Sequence, residues 1–229
     1  MSIAENVRII RENMERAGGN SGRKLYLVAA TKMNGADAVR EAIAAGVDAC
    51  GENRMQEFLE KDAQNAYAGA PKHFIGHLQR NKVSKLVGRV DLIQSVDSPE
   101  LLELVNRAAE KQGIVQDILL EVGIAYEAQK SGVAPEALPA LLDKAAACPS
   151  LRVRGLMCIP PILAPGENNR RYFAQMYQLF VDNGNKKCHN ISMDFLSMGM
   201  TDDYADAIAE GANMVRVGTG IFGARNYGV

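Results

Sequence analysis

From residue 24 onward, short apolar runs alternate with stretches whose apolar residues recur every three or four positions. The runs at residues 24–30, 47–51, 73–76, 90–96, 115–122, 151–159, 193–197 and 214–217 are rich in Val, Ile, Leu and Ala and predict buried strands. Between and after them the periodicity predicts amphipathic helices over about residues 35–45, 53–66, 80–88, 98–112, 135–147, 168–183 and 202–210. One more helix leads the chain over residues 2–17, with Ile3, Val7, Ile10, Met14 and Ala17 on a single stripe, and Gly18-Gly19-Asn20 ends it.

Strand followed by helix, repeated, predicts a parallel sheet with right-handed crossovers. Eight strands, each but the last followed by a helix, match the closure number of an α/β (β/α)8 TIM barrel. The alternative, an open doubly wound sheet, calls for a glycine-rich first turn, and Ala30-Thr31-Lys32-Met33-Asn34-Gly35 contains no GxGxxG. No Gly/Ser/Pro-rich linker or charge block divides the chain, so a single barrel domain over residues 1–229 is expected.

Composition removes several classes of function. A chain of 229 residues with 47% hydrophobic content buries a large core and is globular. A net charge of −1 leaves no electrostatic footprint for nucleic acid or an anionic membrane. No apolar stretch is long enough to span a bilayer, and Met1-Ser2-Ile3-Ala4-Glu5-Asn6 lacks the basic and apolar regions of a signal peptide, so a cytoplasmic location is expected. Cys50, Cys148, Cys158 and Cys188 are scattered without a CxxC pair and read as free thiols. Of His73, His77 and His189 only the first two are close in sequence, with no Cys or carboxylate nearby, so no metal site is expected.

In such a barrel the chemistry lies just after the strands, on the carboxyl-terminal face. Lys32 stands there, after the run Leu25–Ala30 and Thr31. A desolvated lysine titrates low, and its neutral amine attacks a carbonyl to form a Schiff base; the plainer alternative is an ammonium that snorkels to solvent. Asn53, in Gly51-Glu52-Asn53, is suited to contact a ligand or the lysine, or else caps the helix behind it. Gly76-His77-Leu78-Gln79-Arg80-Asn81-Lys82 is dense in hydrogen-bonding side chains for a structural turn. Glu127–Gly132 is a charged loop able to reach over the mouth.

The last two strands carry the most specific signals. Thr201 with Asp202 and Asp203 reads as a helix cap, leaving Ser197 free to point into the mouth. After Val217, Gly218-Thr219-Gly220 lets backbone amides and a hydroxyl approach phosphate oxygens. Arg216, inside an apolar strand, needs a ligand or a buried partner such as Glu52. A lysine opposite a phosphate cradle, with an arginine between, describes a pocket for pyridoxal 5′-phosphate (PLP) in which Arg216 faces the pyridine nitrogen. An arginine keeps its proton, so the ring nitrogen stays unprotonated and the cofactor is a poor electron sink.

The same segments resemble those of the pyridoxal phosphate homeostasis proteins, the YggS/PROSC family. The stretches are Leu27–Lys32, Gly51–Asn53, His73–Lys82, Lys130–Gly132, Arg154–Pro160, Ser197–Met200 and Val215–Gly223, in family order over nearly the whole chain. The resemblance implies a fold-type III PLP barrel similar to the N-terminal domain of alanine racemase. It implies that Lys32 carries the cofactor, that Ser197, Gly218 and Thr219 contact its phosphate, that Arg216 meets the ring nitrogen, and that Asn53 lies in the pocket. Gly220 stands where alanine is more usual, and Met33-Asn34 where many members have Thr-Lys.

Two functions compete. One is a non-catalytic binder that buffers PLP and related B6 vitamers and delivers the cofactor to apo PLP enzymes. The other is a PLP-dependent amino-acid racemase, which needs an acid/base on each face of the bound substrate. Racemases draw their second base from a separate C-terminal domain, and this chain ends at Val229. His77 is the best internal candidate for that base, Tyr204 and Tyr227 having no evident reason to face the ring, and Lys82 and Lys130 are the other lysines able to carry the cofactor. The binder is the reading we expect, as a monomer, since the dimerising domain of racemases is not in the sequence.

Overall fold

Eight strands close into a barrel in chain order, with β8 pairing back onto β1, and all of their pairings are parallel. In a computed structural model that describes residues 1–19, 21–124, 131–161, 167–184 and 188–223, the strands are β1 (Tyr26–Ala30), β2 (Ala49–Glu52), β3 (Lys72–Phe74), β4 (Leu92–Val96), β5 (Gln116–Glu121), β6 (Leu151–Met157), β7 (Ile191–Ser197) and β8 (Met214–Val217). The helices are α1 (Ile3–Gly18), α2 (Ala36–Ala44), α3 (Met55–Ala63), α4 (Val83–Leu86), α5 (Pro99–Gln112), α6 (Leu138–Ala146), α7 (Arg170–Gly184), α8 (Tyr204–Ala209) and α9 (Thr219–Phe222). The barrel and its leading helix follow the hydrophobic pattern.

Local chemistry explains the boundaries. Ser2 caps α1 by accepting the Glu5 N–H at 3.2 Å, and Gly19 ends the helix at φ 51°. The stripe Val7, Ile10 and Met14 is buried, and Asn6 donates to the Ile221 carbonyl at 2.8 Å, tying α1 to α9. Helix α5 has Ser98 as N-cap, Pro99 in its first turn and left-handed Gly113 at its end.

Two elements depart from expectation. The segment 80–88 is a 3-10 turn (Arg80–Lys82) followed by the single turn of α4 rather than one helix. Strand β8, expected to have no helix after it, runs into α9, whose glycine content masked its helicity.

The barrel interior changes character along its axis. Val28, Ala49, Leu92, Leu119, Met157 and Met214 fill it with an apolar layer. Toward the carboxyl ends it turns polar, with His73, Gln94, Glu121, Ser197 and Arg216 all buried. Outside the strands a larger apolar cluster packs them against the helices. Buried polar groups are costly unless paired, so the polar end marks where the fold holds something other than a core.

Candidate functional site

Strand β1 delivers Lys32, half-buried, to the mouth, and α3 grips the backbone on both sides of it. The Thr31 N–H donates to the Gly51 carbonyl at 2.9 Å, and Lys61 Nζ donates to the Thr31 carbonyl at 2.7 Å. On the far side the Met33 N–H donates to Glu57 Oε2 at 2.6 Å. That bond holds Met33 in the left-handed region at φ 62°, which is strained for a residue with a Cβ.

Glu52 belongs to this outer clamp. Its Oε1 accepts Lys61 Nζ at 2.5 Å, the Tyr67 hydroxyl at 3.0 Å and the Thr31 hydroxyl. The pairing of Glu52 with Arg216 considered from sequence is therefore overturned: Glu52 serves the layer between strands and α3, while Arg216 lies in the interior.

Arg216 is 3% exposed and bonded to neutral groups. Its Nη1 donates to Ser197 Oγ at 2.6 Å and its Nη2 to the Cys158 carbonyl at 2.9 Å. The Ser197 hydroxyl donates in turn to Gln94 Oε1 at 2.7 Å, and Gln94 Nε2 meets His73 Nδ1 at 2.9 Å. Burial pushes the His73 imidazole down to about 4, so the ring is neutral and Nδ1 accepts from the Gln94 amide. Among the described residues no carboxylate forms an ion pair with Arg216, although burial lowers its pKa and penalises its charge. Glu121 is the nearby interior acid; it accepts the Ser131 hydroxyl, and burial raises its pKa toward the neutral form.

The turns after β7 and β8 meet. The Thr201 hydroxyl accepts the Gly220 N–H at 3.2 Å and the Thr219 hydroxyl at 3.1 Å, so it does not cap α8, which begins at Tyr204 with Asp203 in the cap position. Gly218 lies against the end of β1: a Cβ there would stand 3.4 Å from the Ala30 carbonyl oxygen. The strand-eight turn and the Lys32 segment are thus neighbours.

Asn53 does not cap α3 either, since Arg54 precedes the helix without a side-chain cap. Its Oδ1 is buried with no hydrogen-bond partner. Gly76 permits this placement, because a Cβ on it would come within 2.2 Å of the Asn53 carbonyl oxygen. His77 is exposed, with Nδ1 3.5 Å from Asp97 Oδ2, a carboxylate partner that sequence spacing did not supply. Tyr204 receives an Asn13 amide hydrogen bond at 3.1 Å on the α1 side. Tyr227, Lys130 and the loop residues Glu127–Gln129 lie outside the described residues.

Sequence reasoning named Lys32, Asn53, Ser197, Arg216, Gly218 and Thr219 as site residues. The hydrogen bonds add Thr201, read from sequence only as a cap, His73, weighed only as a metal ligand, and Gln94, not singled out at all. Gln94 was findable: a glutamine inside Leu92-Ile93-Gln94-Ser95-Val96 poses the same question as an arginine inside β8.

The alanine racemase N-terminal domain family matches residues 1–226. Proteins named pyridoxal phosphate homeostasis protein match over nearly full length. That of Pseudomonas aeruginosa is 40% identical, covering 99% of this chain and 97% of its own. That of Aquifex aeolicus is 39% identical, covering 99% and 100%. The chain belongs to the pyridoxal phosphate homeostasis protein family. Among solved structures, PipY of Synechococcus elongatus with PLP bound superposes with a TM-score of 0.85 at 34% identity, covering 97% of this chain and 100% of PipY. As a homeostasis-family barrel, this chain presents an amine, a buried guanidinium and two hydroxyls around one mouth.

Proposed function

We propose that the chain binds pyridoxal 5′-phosphate at the carboxyl ends of β1, β7 and β8 and acts in intracellular PLP homeostasis, holding and delivering the cofactor without racemase turnover. The observation that carries this reading is Arg216: a guanidinium 3% exposed, bonded to a hydroxyl and a carbonyl rather than to an acid, within a mouth that also contains Lys32. A buried cation with neutral partners suits a ligand atom that accepts a hydrogen bond.

The residues fit the cofactor. Lys32 would hold the cofactor through its amine, Gly218 and Thr219 would meet its phosphate, and Asn53 would contact it from the turn after β2. When bound, PLP supplies an aldehyde that reacts with amines. Arg216, which keeps its proton, would leave the ring nitrogen unprotonated, and that suits storage better than carbanion chemistry. Ser197, with one hydrogen-bond role given to Arg216 and the other to Gln94, acts by orienting the guanidinium. The Thr201 hydroxyl, beside Thr219, takes the place on the phosphate side that sequence gave to Ser197.

The names of the relatives support a non-enzymatic role, and so does the engagement of Tyr204 away from the mouth. We further propose one barrel domain acting in the cytoplasm as a monomer, with PLP, related B6 vitamers and apo PLP enzymes as partners.

Borohydride reduction of the PLP-loaded protein followed by peptide mapping tests the assignment: the label belongs on Lys32, and Lys32→Ala loses it. Label on Lys82 or Lys130 instead, or no uptake of PLP, overturns it. Incubation with single amino-acid enantiomers tests the role, and sustained racemisation with turnover would replace the carrier by the racemase.

A further inference from the structure

Beyond Gly76, which makes room for Asn53, the polar segment His77–Lys82 has been given no role in the site at Lys32, yet it is not a bare turn. It runs along a pocket of about 410 Å³ between α3 and the turn into α4, a volume suited to a small molecule. Met55, Phe74 and Leu78, all buried residues, give the pocket an apolar floor. Around it stand Arg54, His77, Lys82 and Lys85, and no carboxylate belongs to its lining.

These cations are poorly compensated. Lys82 and Lys85 make no ion pair among the described residues. Arg54 reaches Glu57 only at 3.8 Å, and Glu57 is already bonded to the Met33 N–H at 2.6 Å. Asn53 adds an observation of a different kind. Asn53 lines the same pocket, and its Oδ1 is buried without a partner. An amide with nothing bonded to its oxygen loses nothing by turning its NH2 toward an anion.

We propose that this pocket is a second ligand site, which takes a small phosphate monoester carrying an apolar ring or chain. The apolar body lies on Met55, Phe74 and Leu78, and the phosphate meets Lys82 and Lys85, which stand one helical turn apart. Two uncompensated ammonium groups, with Arg54 at the same pocket, match a dianion better than a carboxylate. Lys32 and the strand-eight turn do not line the pocket; Asn53, given above to the cofactor, is the one residue the two sites share, and the phosphate contacts at Lys82 and Lys85 do not depend on the cofactor assignment.

Phenyl phosphate is the probe, titrated calorimetrically into the borohydride-reduced, PLP-loaded protein so that the mouth is filled. The expected result is one binding site, weakened at least about tenfold in K82S/K85S. Benzoate should bind several-fold more weakly than phenyl phosphate. Both lysines are outside the core, so a thermal melt matching wild type is expected of the double variant. Absence of binding, binding unchanged in K82S/K85S, or benzoate binding as tightly as phenyl phosphate overturns the proposal. If PLP fails to load, the cofactor reading falls on its own, and the same titration of unloaded wild type against K82S/K85S still decides this one.

Discussion

Lys61 and Arg216 are both buried cations, 6% and 3% exposed, placed on opposite faces of one strand layer. Lys61 reaches from α3 to the Glu52 carboxylate at 2.5 Å and the Thr31 carbonyl at 2.7 Å, so its charge is answered inside the protein. Among the described residues Arg216 reaches only Ser197 and the Cys158 carbonyl, with no carboxylate in an ion pair with it. Both arrangements cost desolvation, and only the first recovers it through an opposite charge. The contrast separates a cation that fixes structure from one that is kept for a ligand. It also shows how they cooperate, since the outer pair holds Thr31, the residue before Lys32.

The outer region should break most severely. In Lys61→Met the Glu52 carboxylate stays buried with only the Thr31 and Tyr67 hydroxyls, and the loss of stability should be about 3–5 kcal/mol in urea unfolding. Adding Glu52→Leu should recover more than half of that loss, because the orphaned charge is gone. A Lys61→Met cost below about 1 kcal/mol would remove the distinction between the two cations.

Acid should attack the inner region. His73 titrates at about 4 in the fold against a usual 6.5, so the unfolded chain binds its proton first as pH falls. Its contribution is complete above about pH 6.5 and is lost as pH drops toward 4, about 3 kcal/mol in all. Glu121 works in the opposite sense: its raised pKa favours the fold at low pH, and that contribution fades as pH rises through the raised value. The difference between wild type and His73→Gln across pH 4–7 isolates the histidine, and a pH-independent difference would show that its ring is not buried neutral. Arg216→Met should change the stability of the cofactor-free protein by less than about 2 kcal/mol, because lost hydrogen bonds are offset by relief of a buried charge. PLP affinity in the same variant should fall at least about tenfold, read by equilibrium dialysis.

The contrast was half legible in the sequence. Strands buried on both faces leave apolar runs, so the eight strands and their order could be read directly. Arg216 stood out because an arginine interrupts such a run. Its partners did not, because Gln94 meets Ser197 across 103 positions and only barrel closure brings β4 to face β7 and β8 across the interior. Thr201 was misread because Thr-Asp-Asp ahead of a helix has the form of a cap. The chain turns instead at Gly199, φ 90°, and carries the Thr201 hydroxyl to the Gly220 N–H. Lys61 gave no signal, since a lysine on an amphipathic helix normally faces solvent, and only the fold places Glu52 beneath it.

The finest separation between the two regions comes from deleting one hydroxyl in each. Tyr67→Phe removes one of three donors to Glu52 Oε1, and Lys61 continues to hold the Thr31 carbonyl. Ser197→Ala removes the link between Arg216 and Gln94, so the guanidinium keeps only the Cys158 carbonyl. Each loss should cost about 1 kcal/mol in urea unfolding, the ordinary worth of one hydrogen bond. On stability alone the two variants should be nearly indistinguishable. They should part on cofactor affinity, which stays at the wild-type value in Tyr67→Phe and weakens several-fold in Ser197→Ala as Arg216 loses its orientation. Equal affinities in the two variants would mean that the inner chain of hydrogen bonds is structural, like the outer one.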